Sequence, residues 1–374
     1  MTRFLLSNSD RTLRCDGVRE RYDDVAAASR AVTEGRVRLV AGALPFDPRT
    51  AAELIVPETA EFSRGPARFG PLRPLPNASI LAETPDCESH VGRVAELVSR
   101  IRGGDFRKVV AARSVRLEFD DPIDPMLLAA HLIIRNPEAN GFVVDSTGCG
   151  GRDVTLVGVS PEMLISKQGL AVSLRPLAGT TPRHRDPETD RRQGEALLSS
   201  MKNREEHSYV IEWIRERLAP VCRELSIPRT PELVSTPEVW HLASPITGVL
   251  SDPAMTVLDL AALLQPTPAL CGVPTDLALE TITSSEDDRG LYGGAVGWCD
   301  SHGDGTWVVA IRCIELDAGR LGGRAFAGGG IVAASDPYAE WEETVVKLRT
   351  VLGTFDIRQD FNDAAFGAQE VVAR

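Results

Sequence analysis

Residues 326–348 constrain the fold of this chain most, because they join a run of glycines to a capped helix. The glycines, Gly328 and the two that follow it, come after an apolar segment. A backbone at positive φ there could direct several N–H groups at one anion. Residues 335–337, Ser-Asp-Pro, have the form of a helix cap followed by proline in the first turn. The sequence therefore predicts a glycine turn that leads into a helix.

Charged residues recur on one face of that predicted helix. Glu340, Glu343 and Lys347 stand at positions i, i+3 and i+7, whereas Glu342 falls off this face. Two carboxylates and an ammonium beside the glycines could hold a hard cation together with a carboxylate ligand. A solvated helix face next to an ordinary glycine turn is the alternative, and these residues taken alone favour it.

The charge balance limits the kinds of partner. The 374 residues include 41 basic and 53 acidic side chains, for a formal net charge of −12. Nucleic acids and anionic membranes prefer basic surfaces, so we expect neither as a partner. No apolar run has the length of a membrane helix and residues 1–10 lack the plan of a signal peptide, so we expect a cytoplasmic protein. The seven cysteines show no metal-binding spacing and are expected to be reduced.

Periodic patterns predict helices and strands along most of the chain. Helices are expected at 91–101, where valines recur at helical spacing before two glycines, at 125–135, and singly or as a pair within 190–225. Strands are expected at 36–46, at 106–119, several times within 141–177, and in a hairpin over 292–316. Residues 57–76 contain five prolines and predict a surface connection. Residues 175–181 predict a turn of small residues that could admit a ligand.

Two ionisable residues on predicted strands have two possible interpretations each. Lys108 shares a strand face with Val110 and Ala112. It either extends to solvent at a sheet end or lies in a pocket where desolvation favours the neutral amine, a base. Glu162 follows a proline between two apolar strands. It is either a surface group or pressed against an apolar wall, where its pKa would rise and it could act as an acid.

Three further residues would be costly to bury alone. Glu206 lies four residues before Val210, on the expected buried side of its helix, and needs a cation; Glu205 takes its place if the helix is rotated. Arg312 interrupts an apolar strand and cannot lose its proton, so it needs an anion, either from a ligand or from a structural acid. His241, beside a tryptophan, is by itself more often structural than catalytic.

Ten segments together resemble the chorismate-utilising enzymes, and they occur in the order of that family's motifs. They are KVVAAR (108–113), GVSPEML (158–164), RPLAGTTPR (175–183), KNREEH (202–207), TPEVWHLASPITG (236–248), LLQPTPALCGVP (263–274), GLYGGAVGWCD (290–300), WVVAIRC (307–313), AFAGGGIV (325–332) and EWEETVVKL (340–348). The resemblance covers about residues 85–355. Within the family it is strongest to the isochorismate synthases.

The resemblance implies an α+β fold in which two large, mainly antiparallel sheets pack together and helices flank them. It implies an N-terminal subregion integrated into the fold (1–80), a chorismate-binding catalytic domain (81–355) and a C-terminal tail (356–374). It also implies Mg²⁺ as cofactor and chorismate, a small dianion, as substrate. Because such synthases are often monomeric, we expect a monomer.

The same resemblance implies roles for individual residues. Glu206 and Glu343 would bind Mg²⁺, with Glu340 helping through water. Lys108 would activate water for attack at C2 of the ring, and Glu162 would protonate the departing C4 hydroxyl. The substrate would contact Gly179, Thr180, His241, Ala269, Tyr292, Arg312, Gly328 and Lys347.

A few side chains within the motifs favour one activity over its relatives. Anthranilate synthases generally lack a lysine at the position of Lys108, and Ala178 differs from the PIKGT segment of aminodeoxychorismate synthases. Salicylate synthases also add water but then eliminate pyruvate. Tyr292 resembles them, whereas Ile311 and the short N-terminal region resemble isochorismate synthases. The resemblance implies an isochorismate synthase, with a salicylate synthase as the alternative and a non-catalytic metabolite-binding homologue as a weaker one.

Overall fold

The computed structural model describes residues 2–146 and 153–357; most of the predicted tail at 356–374 lies outside the described residues. The strands are β1 Thr2–Ser7, β2 Arg11–Asp16, β3 Glu20–Tyr22, β4 Leu39–Leu44, β5 Glu53–Val56, β6 Thr59–Arg64, β7 Ala78–Thr84, β8 Lys108–Phe119, β9 Asn140–Asp145, β10 Val154–Ser160, β11 Met163–Gln168, β12 Ala171–Arg175, β13 Leu177–Pro182, β14 Cys222–Ser226, β15 Glu232–Ser235, β16 Val239–Ala243, β17 Ile246–Leu250, β18 Gly272–Val273, β19 Ala295–Asp300, β20 Gly305–Val309, β21 Cys313–Asp317 and β22 Gly322–Ile331. The helices are α1 Val25–Thr33, α2 Cys87–Gly103, α3 Pro125–Arg135, α4 Pro187–Ser199, α5 Met201–Leu218, α6 Val257–Leu263, α7 Thr275–Ser285 and α8 Pro337–Leu352.

Within the described chain the strands form three sheets. The first has ten strands, in the order β18-β8-β22-β21-β10-β9-β1-β2-β6, with β7 also paired to β8. The second has nine, in the order β14-β17-β12-β11-β20-β19-β4-β5-β3, and the third has three, in the order β13-β16-β15. Neighbouring strands run antiparallel, as in β8 and β22. The predicted α+β class with two large antiparallel sheets is confirmed, and the small third sheet is an addition to it.

The core is built in layers around the two large sheets. Phe4 and Phe142 of the first sheet share a buried cluster with Trp298 and Val308 of the second, so these two faces pack together. Helices α3 and α8 cover the outer face of the first sheet with leucines and valines. Helices α1 and α6 cover the second sheet. A strand such as β4 is buried along its whole length, as expected for its continuous apolar sequence.

Local sequence signals place several elements as predicted. Helix α2 ends at Gly104, which adopts the left-handed conformation at φ 95°. Helix α8 begins after Asp336, whose carboxylate accepts a hydrogen bond from the N–H of Ala339. Ser200 separates α4 from α5, so residues 190–225 contain a helix pair. Strands β19 and β20 form the predicted hairpin.

Two turn predictions are wrong because the segments pair as strands. The glycines at 328–330 lie in β22 opposite Ala112, Ala111 and Val110, and none of them adopts positive φ. Residues 175–181 run into β13, where Gly179 at φ 82° lies at a shift in the register against β16. Residues 57–76, predicted as an irregular connection, include β6, an exposed strand paired to β2.

The prediction of one strand through Arg312 is also wrong. Strand β20 ends at Val309 in the second sheet, and β21 begins at Cys313 in the first. Arg312 lies at this crossover with φ 52°, a conformation that L-residues other than glycine seldom adopt. Arg312 therefore lies in a connection between two sheets and not within a strand, and this explains why its side chain need not follow the alternation of the apolar residues around it.

No helix in the described ranges is long and apolar enough to cross a membrane.

The first strands of the chain join both large sheets: β1, β2 and β6 extend the first, and β3 to β5 extend the second.

We predict that Gly158→Ala destabilises the fold, by about 1–3 kcal/mol as overpacking generally does. A methyl group there would lie 2.6 Å from both the Cβ of Cys313 and the ring of Phe142, inside the first sheet's core. Gly92→Ala is the matched control, since Gly92 is exposed within α2 with nothing nearby; we expect it to stabilise by about 0.5–1 kcal/mol. Urea unfolding measures both changes, and equal unfolding free energies for the two variants would contradict this packing.

Candidate active site

A cavity lies where the third sheet meets β22, α5 and α8. The space between protein atoms there amounts to about 570 Å³, a figure that includes the solvent-filled mouth. The predicted site residues that line it are Glu162, Gly179, Thr180, Glu206, His241, Ala269, Tyr292, Arg312, Gly328 and Lys347. Lys108, Glu340 and Glu343 do not line it, but each lies beside a residue or strand that does.

Three glutamates beside the cavity are each paired with a lysine. The Nζ of Lys108 lies 3.0 Å from Glu206, and the Nζ of Lys202 lies 2.5 Å from Glu340. The Nζ of Lys347 lies 2.6 Å from Glu343. None of these side chains is more than 26% exposed, so each charge depends on its partner for compensation.

The glycines of β22 make this crowding possible. A Cβ at Gly330 would overlap the carboxylate of Glu206 and come within 2.7 Å of Cε of Lys108. A Cβ at Gly329 would come within 2.8 Å of Oε2 of Glu340. The glycine run therefore contributes space for charged side chains, where the sequence suggested a turn with exposed N–H groups.

The buried position of Lys108 decides between the two interpretations of this residue given by the sequence. The side chain is fully buried on β8, so it does not extend to solvent at a sheet end. Its Nζ is within ion-pair distance of Glu206 but is not directed at it in hydrogen-bond geometry. Glu206 is buried on α5 whereas Glu205 is exposed, which identifies Glu206 as the inward-facing acid.

Glu162 is a buried acid, as in the interpretation of the sequence that pressed it against an apolar wall, and it is not a surface group. Only 3% of the residue is exposed, and burial raises the pKa of its carboxyl to about 7. The N–H of Leu177 donates to its Oε1 at 3.4 Å, and the charges of Lys108 and Lys347 also favour ionisation, but burial outweighs them. A carboxyl with such a pKa can donate a proton near neutral pH.

Arg312 provides a buried positive charge in the cavity wall. Its guanidinium donates to the hydroxyl of Thr350 at 3.0 Å and to Nε2 of His241 at 3.3 Å, and both groups are neutral. It makes no direct ion pair with a carboxylate in the described ranges, although the charge of Glu238, which accepts a hydrogen bond from Thr350, also acts on it. A ligand anion could therefore still bind the guanidinium directly. Burial and the charge of Arg312 hold the pKa of His241 well below its ordinary value.

Aromatic and apolar side chains form another part of the cavity wall. The rings of Tyr292 and Phe326 stack at 4.9 Å, and Ile311 and Leu270 also face the cavity. Arg289, which the sequence did not single out, donates to the carbonyls of Leu270 and Val110 and so joins this wall to β8. These side chains offer apolar contacts to a ligand that also meets the charged groups.

The glutamates are the residues that could hold a divalent cation. Oε2 of Glu340 is buried without a hydrogen-bond partner, and burial together with the charge of Glu343 raises the pKa of Glu340 to about 7. No three acidic, histidine or cysteine side chains in the described ranges are arranged as a finished metal site. The carboxylates of the three glutamates are paired with lysine ammonium groups instead. A bound cation would therefore have to replace part of the positive charge that these lysines supply.

Lys202 was missing from the sequence prediction. It precedes Glu206 by four residues on α5, and this spacing was the available signal that it shares the inward face. The other neighbours that were missed, Thr350 and Ser335, lie on or before α8 and contact Arg312 and Glu340 through hydroxyl groups.

Comparisons with known proteins agree with the family resemblance found in the sequence. The sequence pattern of the family described as "Chorismate binding enzyme" matches residues 44–356. A Mycobacterium tuberculosis protein with the provisional name isochorismate synthase MenF is 45% identical over 95% of this chain and 96% of its own. Isochorismate synthase DhbC of Bacillus subtilis is 43% identical over 87% of this chain and 83% of its own. A crystal structure of Bacillus anthracis DhbC, provisionally named a 2,3-dihydroxybenzoate-specific isochorismate synthase, superposes with a TM-score of 0.88 at 33% identity, covering 95% and 96% of the two chains.

We predict that the stability difference between wild type and Glu162→Gln depends on pH. The folded protein keeps this proton up to about pH 7, whereas the unfolded chain releases it near pH 4.5. The folded state therefore binds more protons in between, and the wild-type unfolding free energy falls relative to the variant's as pH rises through this window, by up to about 3 kcal/mol.

Urea unfolding at several pH values between 4.5 and 8 measures that difference. Glu96→Gln on the exposed face of α2 serves as the control for a solvent-accessible carboxyl. A wild-type-to-Glu162→Gln difference that stays constant with pH would contradict a buried, protonated Glu162.

Proposed function

The chain belongs to the chorismate-binding enzyme family, and we propose that it is an isochorismate synthase. Such an enzyme converts chorismate to isochorismate by adding water at C2 of the ring and releasing the C4 hydroxyl. The observation that carries the proposal is the combination of a buried lysine, Lys108, with a buried acid, Glu162, whose pKa of about 7 suits proton donation.

The positive groups of the cavity would hold the substrate's two carboxylates. Arg312 and Lys347 would bind the enolpyruvyl carboxylate together with the amide of Gly328, because the guanidinium makes no ion pair with a described acid. The ring carboxylate would lie against Gly179, Thr180 and Ala269. His241 and Tyr292 would line the ring itself.

The acid and the base would act on different carbons of the ring. The amine of Lys108 would take a proton from water as its oxygen bonds to C2. The double bond then shifts, the C4–O bond breaks, and the carboxyl of Glu162 would protonate the departing hydroxyl so that it leaves as water. The ammonium of Lys108 would then release its proton to solvent and the carboxylate of Glu162 would take one up, which restores both groups. The raised pKa of Glu162 supports its half of this exchange.

The acid cluster supports Mg²⁺ as the cofactor. Glu206 and Glu343 would hold the ion, with Glu340 acting through water; the unpartnered Oε2 of Glu340 fits a nearby cation. When bound, Mg²⁺ would neutralise the ring carboxylate and the buried acids. We further propose that residues 81–355 form the chorismate-binding domain, with residues 1–80 integrated into it, and that the protein acts as a monomer.

A salicylate synthase is the second candidate, favoured by one observation. Tyr292 lines the cavity and stacks on Phe326, and a tyrosine at this position resembles the salicylate synthases. Such an enzyme would eliminate pyruvate after the same addition of water. The names of the relatives favour the isochorismate synthase.

We predict that the purified protein, incubated with chorismate and Mg²⁺, yields isochorismate alone when its products are separated by chromatography. Chelation of divalent cations should abolish conversion, and added Mg²⁺ should restore it. Salicylate with pyruvate would support the second candidate. Unchanged chorismate under all conditions would overturn both and leave a metabolite-binding protein.

We predict that Lys108→Ala loses activity by about a hundredfold or more, because it removes the base. Lys167→Ala is the matched control: Lys167 is also buried on a strand and paired with a carboxylate, Asp304 at 2.8 Å, but lies outside the cavity. Steady-state kinetics and circular dichroism of both variants separate catalysis from folding. Near-normal turnover by folded Lys108→Ala would exclude the base role.

A further inference from the structure

A chain of hydrogen bonds starts in the cavity wall and joins residues of β13, β16 and α8 through the connections that carry Arg312 and Glu238. Nδ1 of His241 lies 3.0 Å from the hydroxyl of Thr180, and Nε2 of His241 lies 3.3 Å from Nη2 of Arg312. The other arm of Arg312 donates to Thr350 at 3.0 Å. The hydroxyl of Thr350 donates to Glu238 at 3.2 Å.

The chemistry of arginine fixes the direction of this chain. A guanidinium has only N–H donors, so Nε2 of His241 must be the acceptor of its bond with Arg312. Because a neutral imidazole carries one proton, that proton is on Nδ1. The imidazole therefore donates to the hydroxyl of Thr180, and the backbone of Gly179 is a further hydrogen-bond acceptor for this ring. Burial and the positive charge of Arg312 both oppose a second proton on this ring.

The direction of the chain determines how Thr180 meets a ligand. The hydroxyl oxygen accepts the proton of Nδ1, so its own hydrogen is available for another partner. Thr180 lines the cavity beside Gly179 and Ala178. This hydrogen can be donated to an acceptor such as a carboxylate oxygen, whereas a ligand N–H at the same place would set two donors against each other.

We propose that His241 is a positioning residue, held by Arg312 as the neutral Nδ1–H tautomer, and that it presents the Thr180 hydroxyl to the cavity as a donor for a substrate carboxylate. This proposal rests on the proposed function in one respect only, namely that the carboxylate belongs to chorismate. Arg312 thus has two effects: it supplies positive charge, and through His241 it sets the hydrogen-bond polarity of a group on another strand. The opposite tautomer would turn the lone pairs of Thr180 towards the ligand.

The tautomer can be measured without substrate. Nitrogen-15 NMR of imidazole-labelled protein distinguishes protonated from unprotonated ring nitrogens, and His241→Asn identifies the signals of His241. We expect a protonated Nδ1 and an unprotonated Nε2 throughout pH 6–8. A protonated Nε2, or a doubly protonated ring in this range, would overturn the proposal. The measurement does not depend on turnover, so an unreactive protein that shows this tautomer would overturn the proposed function alone.

Paired variants test the effect on the ligand, with chorismate as the probe. Thr180→Val keeps the shape but removes the hydroxyl, and should raise the Kd and KM for chorismate about tenfold or more, with a smaller change in kcat. Thr180→Ser should recover most of that loss. His241→Asn, which can place an N–H at the Nδ1 position, should bind chorismate better than His241→Gln, which cannot.

Calorimetry gives the Kd, and steady-state kinetics separates KM from kcat. Thr180→Val binding chorismate as tightly as wild type would overturn the proposal, as would equal binding by the two His241 variants. Combining Thr180→Val with His241→Gln should raise the Kd no further than the larger single effect, because His241 acts through Thr180. Additive losses would contradict that dependence.

Discussion

The site depends on ion pairs between buried or half-buried glutamates and lysines, which pack against the glycines at the end of β22. A buried carboxylate or ammonium without a partner costs several kcal/mol, so the elements that carry these groups must meet closely. Lys108 comes from the first sheet, Glu206 from α5 and Glu343 from α8. Gly330, with no Cβ, leaves the room in which Lys108 and Glu206 approach each other. The antiparallel register of β8 and β22 fixes this arrangement, because it sets Gly330 opposite Val110, two residues from Lys108.

Electrostatics divides the cavity into two unlike parts. Beside β22 and α8, acids and lysines balance one another in pairs, an arrangement that a divalent cation could alter by taking the acids. Along the third sheet, Arg312 stays positive with neutral hydrogen-bond partners, and it keeps His241 neutral. Glu162 is buried among these groups with a raised pKa. One end of the cavity therefore holds acids paired with lysines, and the other holds an arginine without a direct carboxylate partner, with a proton donor in the same cavity.

The sequence predicted what local rules determine and failed where distant contacts decide. Helices α2 and α8 and strand β8 follow from spacing and caps, which act over a few residues. The glycines of β22 suggested a turn, because nothing nearby in sequence reveals that β8 pairs with them. The crossover at Arg312 and its partner Thr350 were missed for the same reason, whereas Lys202 could have been found from its four-residue spacing to Glu206 on α5. Whether Lys108 and Glu162 are buried could not be decided either, since burial depends on which helix or sheet covers them.

A crystal structure with Mg²⁺ and chorismate bound tests the central claim most directly. We expect one ion held by Glu206 and Glu343, with Glu340 close by, and the ring between Nζ of Lys108 on one face and the carboxyl of Glu162 on the other. The lysine partners of the liganding acids should then have moved from their present positions. An ion bound elsewhere, or a ring with Lys108 and Glu162 on the same face, would contradict the account.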